Sequence, residues 1–162
     1  GVHGARYFPN FPDDRLLSAP ARKVDLAPPA LTVLSDTTDG PNRTVRFHVE
    51  SNRGAWRLQV RLPAEPLRSC VLAGTRLTGS ALTKDADLTD GVVFRHFGID
   101  GGFDLECVVR AGVPLPVEVI DYTIGLPKEI AALAGPRPEG TVGSPFGDRP
   151  EDSAVVREVV TL

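Results

Sequence analysis

The chain has 162 residues, 41% of them hydrophobic, and its 18 basic and 21 acidic side chains give a formal net charge of -3. That length is enough for one domain that buries roughly two-thirds of its unfolded surface without needing a disulfide or a metal. No apolar run approaches the roughly 18 to 20 residues that cross a bilayer, and the charges are too evenly spread to offer a basic patch to a phosphate backbone, so nucleic acid is not expected as a partner.

Residues 1–29 hold Pro9, Pro12, Pro20, Pro28 and Pro29 among scattered charges, which predicts an extended Pro-rich lead-in packed along a surface. The chain opens "GVHGARYF", contains no methionine and shows no charged stretch followed by an apolar one. It is therefore expected to be a fragment or a trimmed product whose localisation signal lies upstream. From Ala30 to residue 162 the pattern changes to short period-two segments separated by Gly, Pro, Asp and Asn, read as a single domain.

"ALTVLS" opens the series. In "RTVRFHVE", Val45, Phe47 and Val49 alternate with Arg46, His48 and Glu50, the pattern of a strand with one wet face. "AWRLQVRL" repeats it, with Trp56, Leu58, Val60 and Leu62 on the core side and Arg57, Gln59 and Arg61 on the wet side. The short polar "SNRG" between them predicts a hairpin. "LRSCVLAG", "VVFRHFG", "FDLECVVR", "LPVEVIDY" and "AVVREVVTL" follow. About eight strands with helix confined to one turn near Lys128 to Leu133 predict an all-β antiparallel sandwich of immunoglobulin-like or jelly-roll type. If strands alternate in direction, "SDTTDGPN", "PAEP", "GIDGG" and the Tyr122–Asp152 connection share one end, while "SNRG", "KDADLTDG" and "RAGVP" share the other. The long connection would then lie near Asp36, Asp39 and Asp100.

Chemistry is sparse. His3, His48 and His96 form no metal constellation, and "HVE" at His48 lacks the P-C-x-x-C that zinc deaminases pair with H-x-E. His48 and His96 read as strand residues. No G-x-S-x-G marks a serine nucleophile. "KDADLTDG" places Asp85, Asp87 and Asp90 before Gly91; their oxygens suit calcium, but without EF-hand spacing a solvated loop is the favoured reading. Trp56 is read as a core anchor in preference to a sugar platform. Cys70 and Cys107 are two buried thiols or one disulfide, with the thiols favoured; Cys107 shares a face with Phe103, Leu105 and Val109.

The stretch "VIDYTIGLPKEIAALAGPRPEG" changes from strand to turn to short helix within about twenty residues, the mark of a functional or a sealing connection. Gly125 is suited to positive φ, Pro127 starts the helical turn, and Leu126 between them is expected to be buried, with Ile130 and Leu133 covering the end of the sandwich. Gly125, Leu126, Pro127, Arg137 and Pro138 are thus read as a structural seal, the alternative being a partner-binding flap.

"VRFHVESNRGAWRLQVRLP", "VLAGTRL", "IDYTIGLP", "GPRP" and the closing "DSAVVREVVTL" together resemble the carboxy-terminal extracytoplasmic domain of membrane-anchored zinc aminopeptidases, the family of endoplasmic-reticulum metallopeptidases and the yeast vacuolar membrane protease. The likeness covers about residues 28–162. It implies a parent in which a zinc peptidase domain and a set of membrane helices precede this domain. The family's two-zinc site needs H-x-D, a bridging Asp, a Glu-Glu pair and a later His; this chain has neither H-x-D nor Glu-Glu, so no catalytic residue and no metal ligand carries over. The expectation is a non-catalytic accessory domain with no cofactor of its own, zinc belonging to the missing catalytic domain. Its partners would be the rest of the parent protein and an unidentified protein or peptide. Its place would be extracytoplasmic, in the periplasm or at the cell exterior, tethered to the membrane through the full-length protein. The alternative is a stand-alone module for carbohydrate or a calcium-dependent ligand.

Overall fold

The computed structural model describes residues 2–3, 15–16, 23–83, 91–98, 101–134, 139 and 153–162. Short strands β1 (Val2–His3) and β2 (Arg15–Leu16) pair with each other. The body consists of β3 (Ala30–Asp39), β4 (Asn42–Glu50), β5 (Arg57–Leu62), β6 (Leu67–Leu72), β7 (Thr75–Thr78), α1 (Ser80–Thr83), β8 (Val92–Phe97), β9 (Phe103–Arg110), β10 (Pro116–Ile124), α2 (Lys128–Ala134) and β11 (Ser153–Thr161). These strands form a five-stranded sheet, β3-β4-β9-β6-β7, and a four-stranded sheet, β11-β10-β5-β8. Every pairing within the two sheets is antiparallel, so the predicted all-β sandwich is the fold. Much of the 1–29 lead-in lies outside the described residues; 23–29 carries no regular element.

The alternation seen in the sequence sets the core. Val45, Phe47 and Val49 of β4 and Leu105, Cys107 and Val109 of β9 point inward from the five-stranded sheet; Leu58, Val60 and Leu62 of β5, Val92 and Phe94 of β8, and Val117 and Val119 of β10 meet them from the other. Each fully buried Val, Leu or Phe contributes roughly 1.5–3 kcal/mol, so this shared layer is the main cohesive term.

Three expectations are corrected. "AWRLQVRL" does not pair with "RTVRFHVE": β4 lies between β3 and β9, whereas β5 lies between β10 and β8. The "SNRG" connection is therefore a crossing between sheets. It is shaped by Ser51, whose Oγ accepts from the Arg53 and Ala55 N–H groups at 3.1 Å each, and by Gly54 at φ 62°. Next, the strand series misses β7. Ala73 and Gly74, both at positive φ, turn the chain in two residues, and "TRLT" returns along β6. One extra strand reverses the end to which later loops belong. The β3–β4 turn lies with the β9–β10 turn, as the Ala111 N–H bond to the Pro41 carbonyl shows, and Arg110 N–H reaches Pro66. The "SNRG" crossing instead joins the end of β10, where Trp56 N–H bonds the Tyr122 carbonyl at 3.1 Å. The segment after Tyr122 thus starts at the end opposite to the β3–β4 turn and its Asp39, not beside it. Finally, Arg57 and Gln59 do not face water: they are 4% and 2% exposed, and Ile120 and Tyr122 on the same face of the four-stranded sheet are 0% exposed. A polar stripe in sequence marks the face turned from the core; it does not fix whether that face is covered.

Candidate functional site

At the end where "SNRG" meets β10, the sequence places a short polar crossing loop against a strand end that turns on Gly125. The Asp121 carboxylate is fully buried there. One oxygen, Oδ2, accepts from Ser51 Oγ at 2.7 Å; the other accepts from the Arg53 guanidinium, whose side chain is 11% exposed. Arg53 Nη1 also donates to Thr123 Oγ1 at 3.1 Å, and Thr123 Oγ1 donates to the Ala154 carbonyl on β11. Loop, β10 and β11 are thereby joined through one charged pair. With both oxygens engaged and the side chain buried, this carboxylate ties the crossing loop to the strand.

Beyond this pair the strand continues to Ile124, three residues past Asp121. Gly125 takes φ 93°, as the turn requires. Pro127 then starts α2, its carbonyl accepting from Ile130 at 2.9 Å and Ala131 at 2.8 Å. Gly125, Leu126, Pro127 and Ile130 are each half-buried, so the full burial expected of Leu126 does not hold: a Gly-Leu-Pro turn that leaves the strand beyond the core edge keeps one side in solvent. Arg137 and Pro138 lie outside the described residues, as do the calcium candidates Asp85, Asp87 and Asp90 and the loop residue Asp100.

Trp56 is a further correction. It precedes β5, is only half-buried, and packs against Phe97 with ring centroids 5.8 Å apart. The chain reaches the core row only at Leu58. Arg57 stacks its guanidinium 3.7 Å above the Tyr122 ring and 5.4 Å from Trp56. Burial raises the Tyr122 phenol above its usual value near 10, against the opposing pull of Arg57 and Arg95. On the same face, Glu118 lies between Arg61, at 3.4 Å, and Arg157.

Two cross-strand clusters occupy the five-stranded sheet. On its outer face His48 Nδ1 lies 2.7 Å from Asp104 Oδ1, and Arg46 donates to Asp104 Oδ2 at 2.8 Å. Bonds from His48 first and Arg46 second hold the Asp104 carboxyl below its usual range. His96 lies on the other sheet, stacked on Phe103 at 5.4 Å. On the inner face Cys70 and Cys107 are directly opposite in the register of β6 and β9, fully buried, and joined as a disulfide with Cα atoms 4.1 Å apart. This corrects the preference for two thiols: spacing in sequence does not reveal that β6 and β9 are neighbours. At the opposite end of the sandwich a shallow hollow of about 440 Å³ is lined by Arg43, Gly112, Val113, Pro114, Thr161 and Leu162. Arg43 is engaged there, bonding Asp36 through Nε at 2.9 Å and Nη2 at 2.6 Å.

Among the described residues no group of three or more His, Cys, Asp or Glu side chains is placed to hold a metal ion. Set against known proteins, the chain matches no protein-family model, no curated protein and no solved structure. Fold and site define an antiparallel β-sandwich closed at one end by a buried arginine–carboxylate pair. The sequence signal for that pair was an Asp near a strand end; its partner Arg53, 68 residues earlier, carried none.

Proposed function

We propose that the chain is a non-catalytic, extracytoplasmic accessory domain of a membrane-bound zinc-dependent peptidase, serving to fold or position the parent protein or to recognise its partner. One observation carries this reading. Two of the stretches that carry the resemblance, "VRFHVESNRGAWRLQVRLP" and "IDYTIGLP", meet at one end of the sandwich around the Arg53–Asp121 pair, where Arg53 and Asp121 tie loop to strand. Such use fits a scaffold. A buried disulfide between β6 and β9 fits an oxidising compartment. Zinc and peptidase chemistry belong, in this reading, to another part of the parent.

The coding sequence upstream of Gly1 is the direct test. The reading expects an H-x-D motif, an adjacent Glu-Glu pair and several apolar runs of about 20 residues. A signal peptide ending directly before Gly1 would replace it with the stand-alone binding module. A complementary assay incubates the chain with zinc and an aminoacyl substrate; turnover abolished by a chelator would overturn the non-catalytic assignment.

A further inference from the structure

β3 is an edge strand of unusual exposure. Each residue from Thr32 to Asp39 is exposed, although its other edge is paired with β4 from Ala30 to Asp39. The five-stranded sheet overhangs its neighbour here: Val33 shares the inward face with Phe47 across the register, yet Val33 is 46% exposed and Phe47 is 0%. Among the described residues no strand pairs with the outer edge of β3. Natural edges that resist pairing are short or carry Lys, Pro or inward charges. β3 runs for ten residues as "ALTVLSDTTD", without Lys, Arg or Pro. Its inward charge, Asp36, is drawn into an ion pair with Arg43. Its one irregularity, the shift between Val33 and Ser35, leaves Leu34 48% exposed.

We propose that β3 pairs antiparallel with β3 of a second copy of this chain, Val33 facing Val33 across the twofold axis, so that the two five-stranded sheets become one. The edge suits a second copy of itself in one orientation, which the charge pattern sets. Both acidic residues, Asp36 and Asp39, lie in the second half of the strand; antiparallel pairing about Val33 sets Asp36 against the uncharged start of β3 in the other copy and leaves Asp39 beyond the end of the shared ladder. Parallel pairing would set Asp36 beside Asp36 and Asp39 beside Asp39, and like charges directly opposite are destabilising. Residues opposite one another share a face, so each Val33 covers the other in the overhang that the four-stranded sheet leaves open. Pro28 and Pro29, just before β3, end the ladder because neither offers an N–H. The interface is isologous and closes at two subunits.

Sedimentation of the 162-residue chain over about 10–500 µM tests this, since a weak self-association is governed by protomer concentration. The wild type is expected to pass from monomer to dimer across that range. Val33→Lys, which places two ammonium groups at the axis, is expected to remain monomeric with an unchanged circular dichroism spectrum. Val33→Cys is expected to give a covalent dimer under mild oxidation, dependent on dilution. A chain monomeric throughout would overturn the proposal. So would a dimer that persists in Val33→Lys and does not cross-link through Val33→Cys, because its interface would then lie elsewhere.

Discussion

Asp121 shows how much one buried charge can decide. Taking a carboxylate fully out of water costs several kcal/mol, offset only while Arg53 and Ser51 both bind it. Arg53→Ala is therefore expected to lower stability by about 3–5 kcal/mol, measured by urea denaturation. A double variant, Arg53→Leu with Asp121→Leu, is expected to lose less than the sum of the single changes, since no unpaired charge remains. Tyr122, fully buried, gives a pH signature. Its folded pKa is raised above the ordinary value of about 10, so the stability it confers is fully present below pH 10 and declines as the pH rises toward the folded value. Wild type is expected to lose stability more steeply above pH 10 than Tyr122→Phe; equal slopes would show that this phenol does not contribute. Leu126, half-buried, is expected to cost only about 1 kcal/mol on truncation to Ala, below the range for a fully enclosed Leu. At this scale the sequence was legible where alternation speaks, as at Val45, Phe47 and Val49. It was silent for Arg57 and Gln59, because period-two polarity separates two faces without saying what lies over the second.

Among the elements, β6 and β9 are locked to each other both by ladder bonds and by the Cys70–Cys107 bridge. Closing 37 residues of chain removes denatured-state entropy worth about 4 kcal/mol in the loop-closure model. Alkylation of the denatured, unreduced protein is expected to add no alkyl group, and prior reduction to allow two; two groups without reductant would mean free thiols. The approach to β9 depends on Gly102, which has φ 75° and would set a Cβ 1.9 Å from the Val49 carbonyl oxygen, while Gly101 has nothing within 4 Å. Gly102→Ala is thus expected to destabilise well beyond Gly101→Ala, which meets only the unfavourable φ of about 1 kcal/mol. Thermal melts of the two variants separate the effects. The Gly125 turn and the helix after Pro127 were legible because Gly and Pro act locally. β7 was not: "TRLT" is short and has a single apolar residue, Leu77, and its turn is made by Ala73 and Gly74, without the Asn-Gly or Asp-Gly signal that announces a two-residue hairpin.

For the molecule as a whole, that one overlooked strand had a disproportionate consequence. Loop ends alternate with strand count, so missing β7 moved "GIDGG" and the Tyr122 connection to the wrong end while leaving the fold class untouched. The class depends on many short alternating segments, the ends on an exact count. What unites the two sheets is the single core between them, to which β4, β9, β5, β8 and β10 all contribute. Neither sheet can keep its inner face dry alone, so the sandwich is expected to unfold as one cooperative unit. The chain has one tryptophan, Trp56, packed on Phe97 beside the four-stranded sheet, whereas the disulfide lies wholly within the five-stranded sheet. Trp56 fluorescence and far-ultraviolet circular dichroism should therefore give coincident urea transitions. Reducing the disulfide, although it touches only one sheet, should move both to lower urea by the same amount. If reduction shifted the dichroism but left the Trp56 transition in place, the sheets would be separate folding units and the shared core would not be the term that holds them together.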